Sequence, residues 1–223
     1  LGGNCENNIS FYKIKKKLKC FMIEDSCHAL GSKYKISKKS YYVGSCKHAD
    51  ISIFSLHPLK SITTGEGGLV TTNKKEFYER SILFKSHGII RKNNMHWEYD
   101  VISPGLNYRL SDLNCSLGIS QLNKLSKFIA KRVKIAKNYS KLLKNYKNIF
   151  IPKINNNIFS SWHLYIILIN FFKIKKNKKK LFNLFLKNKI RLQQHYIPIN
   201  KFSYYKKKLK ANFQMLKNII NIQ

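Results

Sequence analysis

The sequence predicts an α/β protein. Three observations carry the prediction: short apolar segments ending in polar residues recur at residues 21–23, 50–54 and 68–72, a helical segment follows at 74–83, and helical periodicity takes over from Ser111. Strands alternating with helices are the pattern of a sheet covered by helices. The chain has 223 residues, 43% hydrophobic and 13% aromatic, which is enough apolar material for a core. Disorder over most of the length is thereby excluded.

Phe21-Met22-Ile23 reads as a strand running into the acids Glu24 and Asp25. In the second segment Ile51 and Ile53 alternate with Ser52, the period of two that a strand requires. Gly68-Leu69-Val70-Thr71-Thr72 is a third strand, rich in β-branched residues. In open α/β sheets ligands gather beyond the carboxyl ends of strands. Asp25 and Ser55 stand at such ends and are site candidates on topology alone. From Ser111, the residues Leu113, Leu117, Leu122, Leu125, Ile129, Ala136, Tyr139 and Leu143 mark one face of a long helix or of two joined helices. Ser111 or Asp112 would cap its start. After Pro152, residues 164–169 predict a strand, 181–186 a helix and 190–194 another strand. The basic run 173–180 reads as a solvated loop and helix start. The tail from Lys206 carries no chemical signal.

Lys and Arg number 43 against 10 Asp and Glu, a net charge of +33. Such a charge suggests a polyanion partner. The excess is nearly all Lys, spread along the chain among Asn and Ile, while Arg is confined to Arg80, Arg91, Arg109, Arg132 and Arg191. Reading base edges favours Arg, and single strands favour stacking aromatics. A basic nucleic-acid-binding protein is therefore the weaker rival reading, and no specific nucleic acid is expected. The five cysteines are odd in number and form no CxxC, which argues against a disulfide framework and for a reducing compartment. Cys27-His28 and Cys46-x-His48 lack the regular spacing of a structural zinc site, so no metal is expected. No apolar run is long enough to span a bilayer and no signal peptide is visible. A cytoplasmic location is the expectation. A start at Leu1 suggests a piece of a longer chain.

Two segments carry chemistry. In Phe54-Ser55-Leu56-His57-Pro58-Leu59-Lys60-Ser61-Ile62-Thr63-Thr64-Gly65-Glu66-Gly67-Gly68, a strand ends, a Pro-containing turn presents Lys60, and a glycine-rich turn leads to the next strand. From spacing alone Lys60 is more readily a surface lysine; a desolvated lysine there could form Schiff bases. In Glu24-Asp25-Ser26-Cys27-His28-Ala29-Leu30-Gly31, an acid at a strand end and a histidine three residues on could share one ligand. A helix cap at Asp25 and a core histidine at His28 explain the same pattern equally well.

Together the two segments resemble the DegT/DnrJ/EryC1/StrS family of pyridoxal-phosphate (PLP) sugar-nucleotide aminotransferases. Further matches are Ser86-His87-Gly88-Ile89, Gly105-Leu106-Asn107-Tyr108-Arg109-Leu110-Ser111-Asp112, Gly118-x-x-Gln121-Leu122 and His195-Tyr196-Ile197-Pro198, so the likeness covers nearly all of residues 1–200. It implies fold type I: a partial large domain with a mixed sheet over residues 1–120, then a connecting helix and an α+β small domain over 121–223. It implies PLP as cofactor and transfer of an amino group, from glutamate, to C4 of a UDP-linked 4-keto-6-deoxy sugar. Lys60 would bond to the cofactor and carry the proton, as catalytic acid and base. Asp25, as a buried carboxylate, would pair with the pyridine nitrogen. His28 would contact the ring hydroxyl and Ser55 the phosphate. Asn107 would reach the phosphate of the neighbouring subunit in a homodimer with shared sites. Arg109, His195 and Tyr196 would approach the substrate. The sequence departs from the family in lacking the portion that precedes the strand ending at Asp25, and Lys85 stands where an Arg usually precedes Ser-His-Gly. A remnant without catalysis, or one half of a split enzyme, is the alternative this implies.

Overall fold

The computed structural model describes residues 1–91, 95, 97–174 and 177–208. In chain order the elements are α1 (Asn8–Leu18), β1 (Ile23–Asp25), β2 (Lys33–Ile36), β3 (Lys39–Tyr42), β4 (Ile51–Ser55), β5 (Gly68–Thr72), α2 (Lys75–Lys85), β6 (Ile89–Arg91) and β7 (Tyr99–Val101). There follow α3 (Asp112–Leu122), α4 (Leu125–Leu143), β8 (Ile149–Phe150), β9 (Ile158–Phe159), β10 (Leu168–Ile169), α5 (Phe171–Ile174), α6 (Lys178–Lys187), a 3₁₀ turn (Ile199–Lys201) and α7 (Ser203–Lys208). They fall into two compact units. Leu1–Leu142 with Pro152–Ile166 form the first; Leu143–Ile151 and the described residues from Ile167 on form the second.

The first unit holds a mixed sheet in the order β1-β4-β5. β1 runs parallel to β4, pairing Ile23 with Ile51 and Asp25 with Ile53. β5 is antiparallel to β4, pairing Ile51 with Thr72 and Ser55 with Gly68. A second sheet, β3-β2-β9, is antiparallel throughout. Its strands went unread in the sequence, yet they alternate: Tyr34 is buried and Ile36 half-buried, while Lys35 is exposed. Cys5, Ala29, Tyr34, Val43 and Phe54 form the buried cluster, with Ile9, Leu30, Ile36, Tyr41 and Ile158 packed against it. α1, β2, β3, β4 and β9 thus share one core. Gly44, at φ +86°, lies over the Phe54 ring, where an added Cβ would come within 2.4 Å of Cζ.

Asp50 binds several of these elements. Its side chain is 1% exposed, with Lys15 Nζ 2.7 Å from Oδ2 and Lys74 Nζ 2.7 Å from Oδ1. The Met22 N–H donates to Oδ2 at 2.7 Å. One buried carboxylate, opposed by two cations, joins α1, the entry to β1, the start of β4 and the approach to α2.

The helical run from Ser111 is two helices, α3 and α4, and Ser111 is the cap, its hydroxyl accepting the Asn114 N–H. α4 buries Ile129 and Ala136 and exposes its lysines. The strand expected over 164–169 is confined to Leu168–Ile169, which pairs with β8 in the second unit. Residues 160–165 are engaged otherwise: Arg132 donates to the carbonyls of Trp162 (3.4 Å) and His163 (3.0 Å), and Tyr165 Oη meets Ser140 Oγ at 2.9 Å. No strand forms over 190–194 among the described residues. The Ile190 N–H is taken by the Phe185 carbonyl at the end of α6, and a strand without a partner leaves its backbone unpaired. α6 covers the helix expected over 181–186 and starts three residues earlier, at Lys178, capped by Asn177, which accepts from Lys180 N. The basic run 173–180 includes residues outside the described ones, as does the tail beyond Lys208.

Candidate active site

The parallel pair β1 and β4 brings two chain ends side by side, Asp25 on one and Ser55 on the other. The loop that leaves β4 carries Lys60 and is closed by its own hydrogen bonds. Leu56 N–H donates to Gly67 O (2.9 Å), Thr64 N–H to Leu56 O (3.1 Å) and Lys60 N–H to His57 O (2.9 Å). The loop also packs inward, with Leu56, Ser61, Ile62 and Thr64 buried. Lys60, between them, is half-buried. Spacing alone favours a surface lysine; the structure places Lys60 on a tied loop, partly withdrawn from water.

Asp25, Cys27, His28, Ser55 and Lys60 form one electrostatic group. The Cys27 thiol and N–H both donate to the Asp25 carboxylate and lower its pKa; desolvation opposes them, and the nearby His28 and Lys60 lower it further by smaller amounts. Asp25 Oδ1 accepts the Cys27 N–H at 3.1 Å, so its side chain caps a turn, not a helix. Burial raises the Cys27 thiol, Asp25 adds to that as acceptor and charge, and Lys60 and the Ser55 backbone oppose it. Ser55 Oγ accepts the His57 N–H at 3.4 Å. His28 Nδ1 accepts the Gly2 N–H at 3.3 Å, which in the neutral ring leaves the proton on Nε2. Its ring lies 4.4 Å from that of His163.

Asp25 is exposed, where a buried carboxylate was expected. The reason is topological: β1 is an edge strand, and among the described residues nothing pairs with its free side. Asn107 and Arg109 are also exposed, on a segment docked to the end of α2 through a bridge between Ser86 and Asn107 and the bond from Tyr108 N to Lys85 O (2.9 Å). The structure gives neither a hydrogen bond to the Asp25–Lys60 group. His195 and Tyr196 belong to the second unit, the first half-buried and the second exposed, with rings 4.4 Å apart.

Cys27 of this group, and Glu24 on the opposite face of β1, had no assigned role in the sequence reading. Cys27 entered it only as a zinc candidate, and among the described residues no three His, Cys, Asp or Glu side chains are grouped to hold a metal. Glu24 accepts from Ser52 Oγ (2.7 Å), Gly44 N–H (3.3 Å) and Asn8 Nδ2, fixing β1 to its neighbours on the side away from Asp25. Its signal was the alternation along β1, which turns adjacent acids to opposite faces.

An amine and an ionised carboxylate at adjacent strand ends suit PLP, whose aldehyde takes an amine and whose protonated ring nitrogen takes an anion. A serine hydroxyl at the end of β4 suits its phosphate.

The solved structures agree. Helicobacter pylori PseC, described as an aminotransferase involved in the biosynthesis of pseudoaminic acid, matches with a TM-score of 0.83 at 35% identity, over 95% of this chain and 54% of that one. A Streptococcus pneumoniae protein described as a sugar aminotransferase in its PLP-form matches with a TM-score of 0.78 at 26% identity, over 97% of this chain and 57% of that one. The fold is that of the fold type I PLP-dependent transferases, present here in part. The chain belongs to the DegT/DnrJ/EryC1/StrS aminotransferase family, whose model matches residues 1–222, further than the motifs reach. A UDP-4-amino-4,6-dideoxy-N-acetyl-beta-L-altrosamine transaminase of Campylobacter jejuni is 44% identical over 208 residues, 93% of this chain and 53% of the relative. The chain spans about half the length of the curated relatives it matches.

Proposed function

We propose that this chain carries the lysine-bearing part of a PLP-dependent sugar-nucleotide aminotransferase. The amino group would pass from an amino acid, glutamate, to C4 of a UDP-linked 4-keto-6-deoxy sugar, in nucleotide-sugar synthesis for a surface glycan. The observation that carries this reading is Lys60 on a closed loop beside Asp25, at the carboxyl ends of parallel strands. The names of the Campylobacter relatives support the sugar, and the description of Helicobacter pylori PseC supports the pseudaminic acid route. Because the chain spans about half of those relatives and Asp25 is open, the activity is proposed for the site together with further chain, not for these residues alone.

PLP, when bound, supplies an aldehyde that takes up the amino group and a ring that accepts electrons from the substrate carbon. The residues do the rest. Lys60 Nζ would hold the cofactor at rest and, once released, would carry the proton between the cofactor and the substrate carbon. Asp25 remains ionised, since Cys27 donates to it, and holds a proton on the ring nitrogen. His28 presents its Nε2–H to the ring hydroxyl, and Ser55 its hydroxyl to the phosphate. Asn107, exposed here, would serve the site of a second copy in a homodimer; Arg109, His195 and Tyr196 would meet the substrate. Residues 1–120 form the cofactor-binding part and 121–223 the connecting helix and small domain. A cytoplasmic location fits these substrates. The lysine also distinguishes this site from family members that carry histidine there and act as dehydratases.

The test is reduction of the purified chain with borohydride after adding PLP, followed by peptide mass spectrometry. Labelling near one per chain at Lys60, lost in Lys60→Ala, is the expected result. Labelling scattered over the lysines without preference for Lys60 would refute the reading for this chain.

A further inference from the structure

The loop that presents Lys60 is held to the rest of the unit at Thr64, and what holds it there is α3. Asn114 Nδ2 donates to the Thr64 carbonyl. Gly118, one turn further along, lies beneath the same residue, where a Cβ would stand 2.8 Å from Thr64 Cγ2. Positions four apart share a helix face, so α3 meets Thr64 with an amide at one level and bare backbone at the next. Thr64 is 1% exposed, and its own hydroxyl donates to Glu66 O at 2.7 Å. The Thr63 hydroxyl donates to Leu56 O at 2.9 Å and accepts the Gly65 N–H at 2.9 Å. The loop is therefore one tied body, and moving Thr64 moves Lys60.

Asn114 is itself locked. Its N–H donates to Ser111 Oγ at 3.3 Å, and the Ser111 hydroxyl donates to Asn114 Oδ1. The oxygen is thus occupied by the cap, and only the amide hydrogens are left for Thr64. We propose that Asn114 is a positioning residue: through Thr64 it sets where the loop holds the Lys60 amine over the ends of β1 and β4. This rests on the cofactor role proposed for Lys60.

Asn114→Asp separates this role from helix stability. A carboxylate in the first turn of α3 suits the helix dipole and can still serve the cap. It cannot donate to Thr64 O, and it faces that carbonyl with negative charge. Asn114→Gln keeps the donor on a longer arm. Two readouts are taken on the full chain. The first is the ratio of Lys60 labelling to labelling of all other lysines at subsaturating PLP. The second, which needs no cofactor, is amide hydrogen exchange at Thr64 and Leu56. In Asn114→Asp the labelling ratio is expected to fall at least tenfold and both amides to exchange at least tenfold faster, with the α3 amides unchanged. Asn114→Gln is expected to recover most of the ratio. Unchanged exchange at Thr64 and Leu56 overturns the inference, as does a loss of protection spread equally over α3, which would mark Asn114 as merely structural. Faster loop exchange with an intact ratio also overturns it. If the unaltered chain shows no preference for Lys60, the aminotransferase reading fails first and the inference with it.

Discussion

Burial raises the pKa of Cys27 and the neighbouring Asp25 raises it further, so the thiol stays protonated at neutral pH although it is partly open. Only the thiolate is a good nucleophile. Cys20 is exposed, while Cys5 is buried and pushed up to about 12, by desolvation first and by Glu24 second. Iodoacetamide at pH 7 is therefore expected to modify Cys20 first, Cys27 much more slowly, and Cys5 only on unfolding; peptide mapping over time checks the order. Asp50 responds to acid. Desolvation pushes its carboxyl up, but hydrogen bonds from Lys15, Lys74 and Met22 outweigh that and hold it down at about 2. A depressed folded pKa contributes stability above the unfolded value near 4 and loses it as pH falls toward 2. Asp50→Asn drops a charge-assisted set of bonds and is expected to cost about 2 kcal/mol at pH 7 by urea titration. The cost should shrink as pH is lowered through that window. At this scale Lys60 and Asp25 were legible because the motif and the strand ends coincide. Glu24 and Asn114 were not, because Ser52 and Thr64, which they bind, come from other elements; Cys27 was not, because its spacing was weighed only for a metal.

Elements were legible where one period dominates. β5 was read from its β-branched run and the helical run of α3 and α4 from its apolar period, with a cap at Ser111 or Asp112, because local chemistry settles both. The hairpin of β2 and β3 was obscured by lysines that alternate correctly but are so common in this chain that they carry little information. Residues 164–167, the first part of the expected strand, form none: Tyr165 and the preceding Trp162 and His163 are claimed instead by side chains of α4. Arg132 is the main link, with bonds to two carbonyls. Arg132→Met keeps much of the apolar stem and removes both donors. It is expected to cost about 2 kcal/mol and to speed hydrogen exchange locally around residues 160–165. Equal loss of protection throughout the unit would show that the link is not local. Gly44 tests the core from the other side. Gly44→Ala puts a Cβ against the rigid Phe54 ring at a φ of +86°. Left-handed strain and overpacking together are expected to cost about 2–4 kcal/mol, read as a lower urea midpoint.

For the chain as a whole, charge and exposed apolar surface act in opposite directions. A net charge of +33, with only 10 acids, leaves few opportunities for ion pairs between copies. Like charge drives copies apart. Yet α3 exposes Leu113 and Ile119 at 84% and 65%, and Phe21 and Ile23 at the edge strand are exposed at 70% and 63%. Apolar groups of that kind favour association when copies approach, and an uncovered strand edge offers backbone partners as well. Repulsion reaches about 30 Å at 0.01 M salt and only about 8 Å at 0.15 M. Apolar attraction is far less sensitive to salt over that range. Sedimentation velocity is therefore expected to show a single slow species at 0.01 M salt and faster, concentration-dependent species at 0.15 M. Replacing Leu113 and Ile119 by Ser should reduce association at the higher salt without altering the low-salt species. Association at low salt that dissolves as salt is added would mean that the contacts are electrostatic, and the apolar surface would then not be what brings copies together.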